Sequence, residues 1–229
     1  MKQFQTLLFD ADNTIFDFQA CENEALSLAF KKYGYPLQEE TRKQYERINL
    51  DLWKKYEQGL LDRATVIYSR FRLLFQEIGI DDDGIQFEDD YQELLGMQHF
   101  FIEDAAEVIE KLYDSFDLYI VTNGVTATQL RRLKESGMER YMKKIFVSEE
   151  TGYQKPMKEY FDYCFTRIDS FEGSKAIIIG DSLSSDIKGG NNAGIKTCWF
   201  NPTGLENQSD AIVDYEIRSL KELYTILES

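Results

Sequence analysis

The sequence predicts an α/β fold, a doubly wound parallel sheet into which an all-helical domain is inserted. Two observations support this prediction. Short apolar runs alternate along the chain with segments of helical periodicity, and one long stretch after the first run has helical patterns without a strand. Runs such as DLYIVT and KAIIIG are apolar almost throughout, which is typical of parallel strands covered on both faces. Helical crossovers between such strands make the sheet parallel.

Five strands and four helices are predicted for the sheet domain, which comprises residues 1–16 and 98–229. The strands are expected at 4–9, 117–122, 144–148, 175–180 and 197–200. The helices have apolar residues at helical spacing and are expected at 105–113, 127–136, 158–168 and 184–193.

Residues 17–97 are predicted to form the inserted helical domain. Their patterns are helical, and glycines such as Gly34 and Gly59 end the first two predicted helices. A segment of this length is too long for a loop between two strands of one sheet. It is therefore expected to fold as a small helical domain of its own.

The composition restricts the classes of partner. The chain has 229 residues, 43% of them hydrophobic, and a net charge of −15, which disfavours nucleic acid polymers and anionic membrane surfaces. No apolar run approaches the roughly 20 residues of a membrane span, and the N-terminal sequence is unlike a signal peptide. Three scattered cysteines favour a reducing compartment. We expect a cytoplasmic protein, monomeric or a small homo-oligomer.

Polar residues follow the predicted strands at the edge where parallel sheets bind ligands. They are Asp10 and Asp12 after the first strand, Thr122 and Asn123 after the second, Lys155 in QKP, and Asp181 and Asp186 after the fourth. Each motif alone is explained by a turn or a helix cap. Their joint occurrence at one edge is better explained by a binding site.

The chemistry of these residues predicts a phosphoryl site. Asp10, Asp12 and Asp181 are hard oxygen donors of the kind that Mg²⁺ prefers, and a cation would offset the repulsion between neighbouring carboxylates. Lys155 adds a compact positive charge, and the Thr122 hydroxyl and the amides around Asn123 add hydrogen-bond donors. A carboxylate beside the metal could then act as a nucleophile.

The motifs FDADNT, IVTNG, QKP and GDSLSSD resemble those of the haloacid dehalogenase superfamily of phosphohydrolases, over essentially the whole chain. The resemblance implies a Rossmann-like core and a helical cap that closes over the site. It also implies that Asp10 is the nucleophile and that Asp12 is the general acid and then the general base. Asp12 would ligate Mg²⁺ through its backbone carbonyl.

The same resemblance assigns the remaining motif residues. Thr122, Asn123 and Lys155 would bind the transferring phosphoryl group. Asp181 would ligate Mg²⁺ together with Asp10, and Asp186 would lie nearby as a partner of a metal-bound water.

Within that superfamily the chain is most similar to the bacterial pyrimidine 5′-nucleotidases, in the stretches FDADNTIFDF, NLDLWKKYEQG, SEETGYQKPMKEYFDY and GDSLSSDIKGGNNAGIKTCWFN. This similarity implies a Mg²⁺-dependent phosphomonoesterase that acts on small phosphorylated metabolites, nucleoside monophosphates above all, through an aspartyl-phosphate. Possible substrate contacts in the cap are Phe18, Trp53, Tyr56 and Arg70, since aromatic rings stack on bases and arginine meets polar edges. Aromatic residues at helical spacing are, however, more often part of a domain core.

The four motifs are also compatible with other functions. A sugar-phosphate phosphatase or a phosphomutase would use the same four motifs. A 2-haloacid dehalogenase needs neither a metal nor a second acid, so Asp12 and Asp181 disfavour it. A receiver-like signalling module is disfavoured by the helical insert, because a signalling aspartate must stay accessible to a partner kinase.

Overall fold

The computed structural model describes residues 3–227, and within them the predicted fold class is confirmed. Six parallel strands form one sheet in the order β3-β2-β1-β4-β5-β6, and helices flank the sheet. The strands are β1 (Thr6–Phe9), β2 (Asp117–Thr122), β3 (Lys144–Val147), β4 (Ala176–Gly180), β5 (Lys196–Phe200) and β6 (Tyr215–Ile217).

The described residues also form ten α-helices. They are α1 (Phe18–Tyr33), α2 (Glu39–Glu57), α3 (Arg63–Ile78), α4 (Ile85–Gly96), α5 (Ala105–Tyr113), α6 (Thr126–Glu135), α7 (Ser148–Thr151), α8 (Lys158–Phe165), α9 (Lys188–Ala193) and α10 (Leu223–Leu227). No helix among residues 3–227 is both long enough and apolar enough to cross a membrane.

The sheet domain differs from the sequence prediction in several places. The short helices α7 and α10 were not predicted, and the helix expected at 158–168 ends at Phe165. Strand β6 was not predicted, because it has only three residues at the edge of the sheet and only Ile217 is buried. The helix expected at 184–193 is a π-helical turn, Leu183–Ile187, followed by α9. The turn arises because the carbonyl of Ser182 accepts from the backbone N–H groups of both Asp186 and Ile187.

The central strands alternate their side chains between two apolar layers. In β1, Leu7 and Phe9 lie in the layer that contains residues of α5 and α10. Leu8 lies in the opposite layer, with Tyr160 and Phe161 of α8. This period of two follows from strand geometry, and burial on both faces explains why Leu7, Leu8 and Phe9 are apolar in succession.

The described residues divide into two compact units, one of residues 3–19 and 99–227 and the other of residues 20–98. In the first unit, the chain segments that lead to and from the second unit lie side by side. Phe16 and Phe101 form an antiparallel bridge. The Asp17 N–H donates to the Phe100 carbonyl, and the Ile102 N–H donates to the Ile15 carbonyl, each at 2.9 Å.

The second unit, which we call the helical unit, contains parts of α1 and all of α2, α3 and α4. Its interior is rich in aromatic residues. The ring of Phe87 packs edge to face on Phe30 and on Phe75, with centroids 5.2 and 5.0 Å away.

The interior of the helical unit also contains a polar network. The Arg70 guanidinium donates to both carboxylate oxygens of Glu88, at 2.8 and 2.6 Å, and to Oδ1 of Asn49 at 3.1 Å. Oε1 of Glu22 accepts from Asn49 at 3.0 Å and from the Tyr45 hydroxyl at 3.1 Å. Burial raises the pKa of Glu22 to about 7, although Arg70 acts in the opposite direction.

This raised pKa predicts that stability depends on pH. Between the ordinary glutamate pKa of 4.5 and the folded value of about 7, the folded chain keeps a proton on Glu22 that the unfolded chain has lost. The free energy of unfolding therefore falls as pH rises through this window, by on the order of 3 kcal/mol. Glu22→Gln should lack this contribution to the pH dependence. Urea unfolding at pH 5 and at pH 7.5 measures the free energy of unfolding of each variant and so tests this. Glu24→Gln, on the exposed side of α1, should unfold like the wild type at both pH values.

Candidate active site

Asp10 lies directly after β1 and forms a buried ion pair with Lys155. Its carboxylate is 2.6 Å from the Lys155 Nζ, which also donates to the Val121 carbonyl at 2.8 Å and to Asp186 at 2.7 Å. Asp10, Lys155 and Asp186 are 7%, 2% and 1% exposed. Since a lysine ammonium has three protons, the three acceptors satisfy it completely. The sheet thus brings together residues that are up to 176 positions apart, from Asp10 to Asp186.

Burial and repulsion between neighbouring carboxylates raise the pKa values of Asp10 and Asp181. Burial raises the pKa of Asp10 well above its usual range, against the attraction of Lys155, and Asp186 and Asp181 raise it further. For Asp181, burial and the charge of Asp186 raise the pKa to about 7. Burial lowers the pKa of Lys155, but Asp10 and Asp186 raise it by more, so the lysine stays charged. The excess of negative charge in this cluster favours a bound cation.

The carboxylates of Asp10, Asp181 and Asp186 form a set that could hold a metal ion. One oxygen from each residue lies within 4.8 Å of the others. Hard carboxylate oxygens in this arrangement suit Mg²⁺, which usually keeps several water ligands besides one or two carboxylates. The backbone of Asp181 is held by Trp199, whose indole N–H donates to the Asp181 carbonyl at 2.8 Å. The sequence did not identify Trp199, since its role depends on the neighbouring strand β5.

Asp186 approaches the backbone of β4 closely enough to require a glycine at the end of the strand. A Cβ atom on Gly180 would lie 2.2 Å from Oδ2 of Asp186. The same Oδ2 accepts from the Ser182 N–H at 3.1 Å, and Oδ1 accepts from Lys155. Gly180 is therefore needed for space at the position where Asp186 meets the lysine.

Thr122 and Asn123 follow β2 and act differently. The Thr122 hydroxyl oxygen accepts from the Gly124 N–H at 3.1 Å and from Gln129 at 2.9 Å, which leaves its proton to donate. The Asn123 amide binds the backbone of Lys155 twice, accepting from its N–H and donating to its carbonyl, each at 2.9 Å. The side chain of Asn123 thus positions the lysine.

Asp12 is bound by two side chains of α6 that the sequence did not identify. Arg132 Nη1 donates to Oδ1 of Asp12, and Gln129 Nε2 donates to Oδ2 at 2.7 Å. Gln129 and Arg132 are both 1% exposed, whereas the apolar Leu130 between them is 38% exposed. The sequence does contain a signal for Gln129 and Arg132. They are polar, lie three positions apart and therefore share one face of a predicted helix, and that face is the one turned inward.

The four predicted substrate contacts lie in different environments. The ring of Phe18 is partly buried, 5.8 Å from the Arg132 guanidinium. Trp53 is partly buried and packs edge to face on the buried Tyr56, whose hydroxyl accepts from an arginine of α3. Arg70 is 1% exposed and bound by Glu88, so the structure places it in the interior of the helical unit.

The fold and this arrangement of aspartates and lysine agree with a family comparison. The model of the haloacid dehalogenase-like hydrolases matches residues 7–200, and the chain therefore belongs to this family. It is a hydrolase of the haloacid dehalogenase superfamily by both sequence and fold.

Particular relatives are similar over nearly the whole chain. YfnB of Bacillus subtilis (strain 168), named as a HAD-hydrolase, is 50% identical over 99% of this chain and 97% of its own. A crystal structure of YfnB bound to magnesium, described as revealing interdomain movement, superposes with a TM-score of 0.95 over 100% of both chains. The pyrimidine 5′-nucleotidase PynA of Streptococcus pneumoniae (strain ATCC BAA-255 / R6) is 37% identical over 98% of this chain and 95% of its own. YjjG of Escherichia coli (strain K12), also a pyrimidine 5′-nucleotidase, is 28% identical over 96% of each chain.

The contact between Gly180 and Asp186 predicts the effect of a single methyl group. Gly180→Ala forces Asp186 away from its place, which should destabilise the fold by about 1–3 kcal/mol, as overpacking does. Thermal unfolding measures this loss. Gly173→Ala is the matched control, because a Cβ there would lie 3.8 Å from its nearest neighbour, in ordinary contact. Equal stability of the two variants would contradict the assigned contact.

Proposed function

We propose that this protein is a Mg²⁺-dependent phosphomonoesterase that acts through an aspartyl-phosphate, with nucleoside monophosphates, pyrimidine ones above all, as substrates. The observation that carries the proposal is Asp10, a buried carboxylate held 2.6 Å from the Lys155 ammonium within a cluster of acidic residues. A carboxylate in this position is suited to act as a nucleophile, because a positive group beside it can stabilise the negative charge on the phosphoryl oxygens during the attack.

In the first step, a carboxylate oxygen of Asp10 attacks the phosphorus of the substrate. The bond from phosphorus to the ester oxygen breaks, and its electron pair goes to that oxygen. The oxygen takes a proton from the carboxyl group of Asp12 and leaves as an alcohol. The Thr122 hydroxyl donates a hydrogen bond to a phosphoryl oxygen, and the positive charge of Lys155 stabilises the negative charge that the phosphoryl oxygens carry during the transfer.

In the second step, a water molecule attacks the phosphorus of the aspartyl-phosphate. Asp12, now a carboxylate, takes a proton from the water. The bond from phosphorus to Asp10 breaks, which restores the Asp10 carboxylate and releases inorganic phosphate. Proton and charge are thus returned to their starting places after one turnover.

The carboxylates of Asp10 and Asp181 and the backbone carbonyl of Asp12 would hold Mg²⁺, and Asp186 would hold a metal-bound water. When bound, Mg²⁺ supplies positive charge that binds the phosphoryl group and lowers the repulsion between substrate and carboxylates. Support comes from the acidic cluster, from the raised pKa values of Asp10 and Asp181, and from the magnesium in the YfnB crystal structure.

The preference for pyrimidine nucleotides rests on the relatives. PynA and YjjG are named pyrimidine 5′-nucleotidases and align with almost the whole chain, the helical unit included. A further phosphatase or phosphomutase substrate would show itself in the same assay, as phosphate released from a sugar phosphate or as a transferred phosphoryl group.

Removal of the metal should abolish turnover. We expect phosphate release from uridine or thymidine monophosphate with Mg²⁺, and its loss after chelation with recovery when Mg²⁺ is added back. Ca²⁺ should restore little activity, since it favours more ligands and looser geometry. Undiminished hydrolysis in the chelated enzyme would refute the metal assignment, and release from sugar phosphates alone would refute the nucleotide preference.

Two substitutions separate the nucleophile from the acid. Asp10→Asn should lower kcat by several orders of magnitude on every substrate, because an amide is a poor nucleophile. Asp12→Asn should lower kcat/KM by about 100- to 10,000-fold on alkyl phosphates, and much less on p-nitrophenyl phosphate, whose acidic leaving group needs no proton.

Circular dichroism and thermal unfolding verify that both variants fold. An equal loss on both leaving groups in Asp12→Asn would remove Asp12 from the role of general acid, while the result for Asp10→Asn would stand independently.

A further inference from the structure

We propose that Gln129 and Arg132 are positioning residues that hold the Asp12 carboxylate in the orientation for proton transfer. This inference rests on the proposed function, in which Asp12 gives its proton to the leaving group. Both side chains extend from α6, are almost fully buried, and donate to different oxygens of the same carboxylate.

The contacts form a closed network. Besides its bond to Asp12, Arg132 Nη1 donates to Oε1 of Gln129 at 3.0 Å, and Gln129 Nε2 donates to the Thr122 hydroxyl at 2.9 Å. None of these side chains can rotate without breaking a bond to another. One amide group, that of Gln129, joins the residue proposed to bind the phosphoryl group to the residue proposed to protonate the ester oxygen.

The network leaves Asp12 able to carry a proton. Each carboxylate oxygen accepts one bond from α6, and a carboxylate oxygen has two lone pairs. The Asp12 side chain is 25% exposed, whereas that of Arg132 is 1% exposed. The free lone pairs and the exposed edge of Asp12 thus remain for the leaving group and for water.

Two neighbours fix the donors themselves. The guanidinium carbon of Arg132 lies 4.6 Å from the centre of the Phe16 ring, within the range of a cation–π contact. Gln129 lies against Gly124, where a Cβ atom would be 2.5 Å from Nε2 and 2.7 Å from Cγ. The glycine of the Thr-Asn-Gly motif is therefore explained by the close approach of Gln129.

A misplaced acid affects some substrates more than others. An alkyl phosphate depends on protonation of its leaving oxygen, whereas p-nitrophenyl phosphate does not. A loss that acts through Thr122 or through general stability lowers kcat/KM on both substrates alike. The ratio of the two kcat/KM values, alkyl over aryl, therefore reports the orientation of Asp12 and is insensitive to a merely structural role.

The experiment measures this ratio in Gln129→Met and Arg132→Met, with the nucleoside monophosphate that the wild type cleaves fastest as the alkyl phosphate. We expect the ratio to fall by about 10-fold or more in each variant, a part of the factor that general acid catalysis supplies. Arg131→Met is the matched control on α6, because Arg131 is partly exposed and pairs with Glu135. Its ratio should equal that of the wild type.

A double-mutant comparison separates the inference from the proposed function. In an Asp12→Asn background, Gln129→Met should lower the ratio no further, because the residue it positions is gone. If Asp12→Asn itself leaves the ratio unchanged, the proposed role of Asp12 fails. If Asp12→Asn lowers the ratio and folded Gln129→Met does not, or raises it, only the inference is overturned. Gln129→Met decides the matter even if Arg132→Met does not fold.

Discussion

The sheet domain has to accommodate four charged groups at one edge of its sheet. They are the carboxylates of Asp10, Asp181 and Asp186 and the ammonium of Lys155. Buried charges are costly unless each is paired and hydrogen-bonded. One ammonium bridges two of the three carboxylates, so the cluster keeps an excess of negative charge. This excess negative charge lowers the stability of the fold, but it also makes the cluster suitable for binding a cation and, with the cation, a phosphoryl group.

Uncharged residues hold this cluster in place. Asn123 binds the lysine backbone, Trp199 binds the Asp181 carbonyl, and Gly180 leaves the space that Asp186 fills. The first two side chains bind the backbone of a charged residue, and the glycine acts because it has no side chain. The orientation of the charged groups therefore depends on uncharged residues that take no part in the proposed reaction.

The sequence predicted the sheet and the polar residues that gather at one edge of it, because both follow from local patterns. Asp10, Thr122 and Asp181 all lie at strand ends that apolar runs define. Strand β6 and the π-helical turn could not be predicted, since the first depends on an edge pairing and the second on the carbonyl of Ser182. Gln129 was not predicted, and the burial of Arg70, which the sequence suggested as a substrate contact, was not predicted either. Both polar side chains are buried, and only tertiary contacts show which partners make that burial favourable.

The paired segments around Phe16 and Phe101 have a consequence for how this family of chains can change. Because the two segments are bridged within the sheet domain, the insertion begins and ends at neighbouring points, as a hairpin loop does. The entropy of closing a loop grows only slowly with its length. Residues 20–98 could therefore be lengthened, shortened or exchanged in evolution while the register of β1 and β2 stays the same. Sequence changes can then accumulate in one segment without disturbing the sheet and the buried charges at its edge.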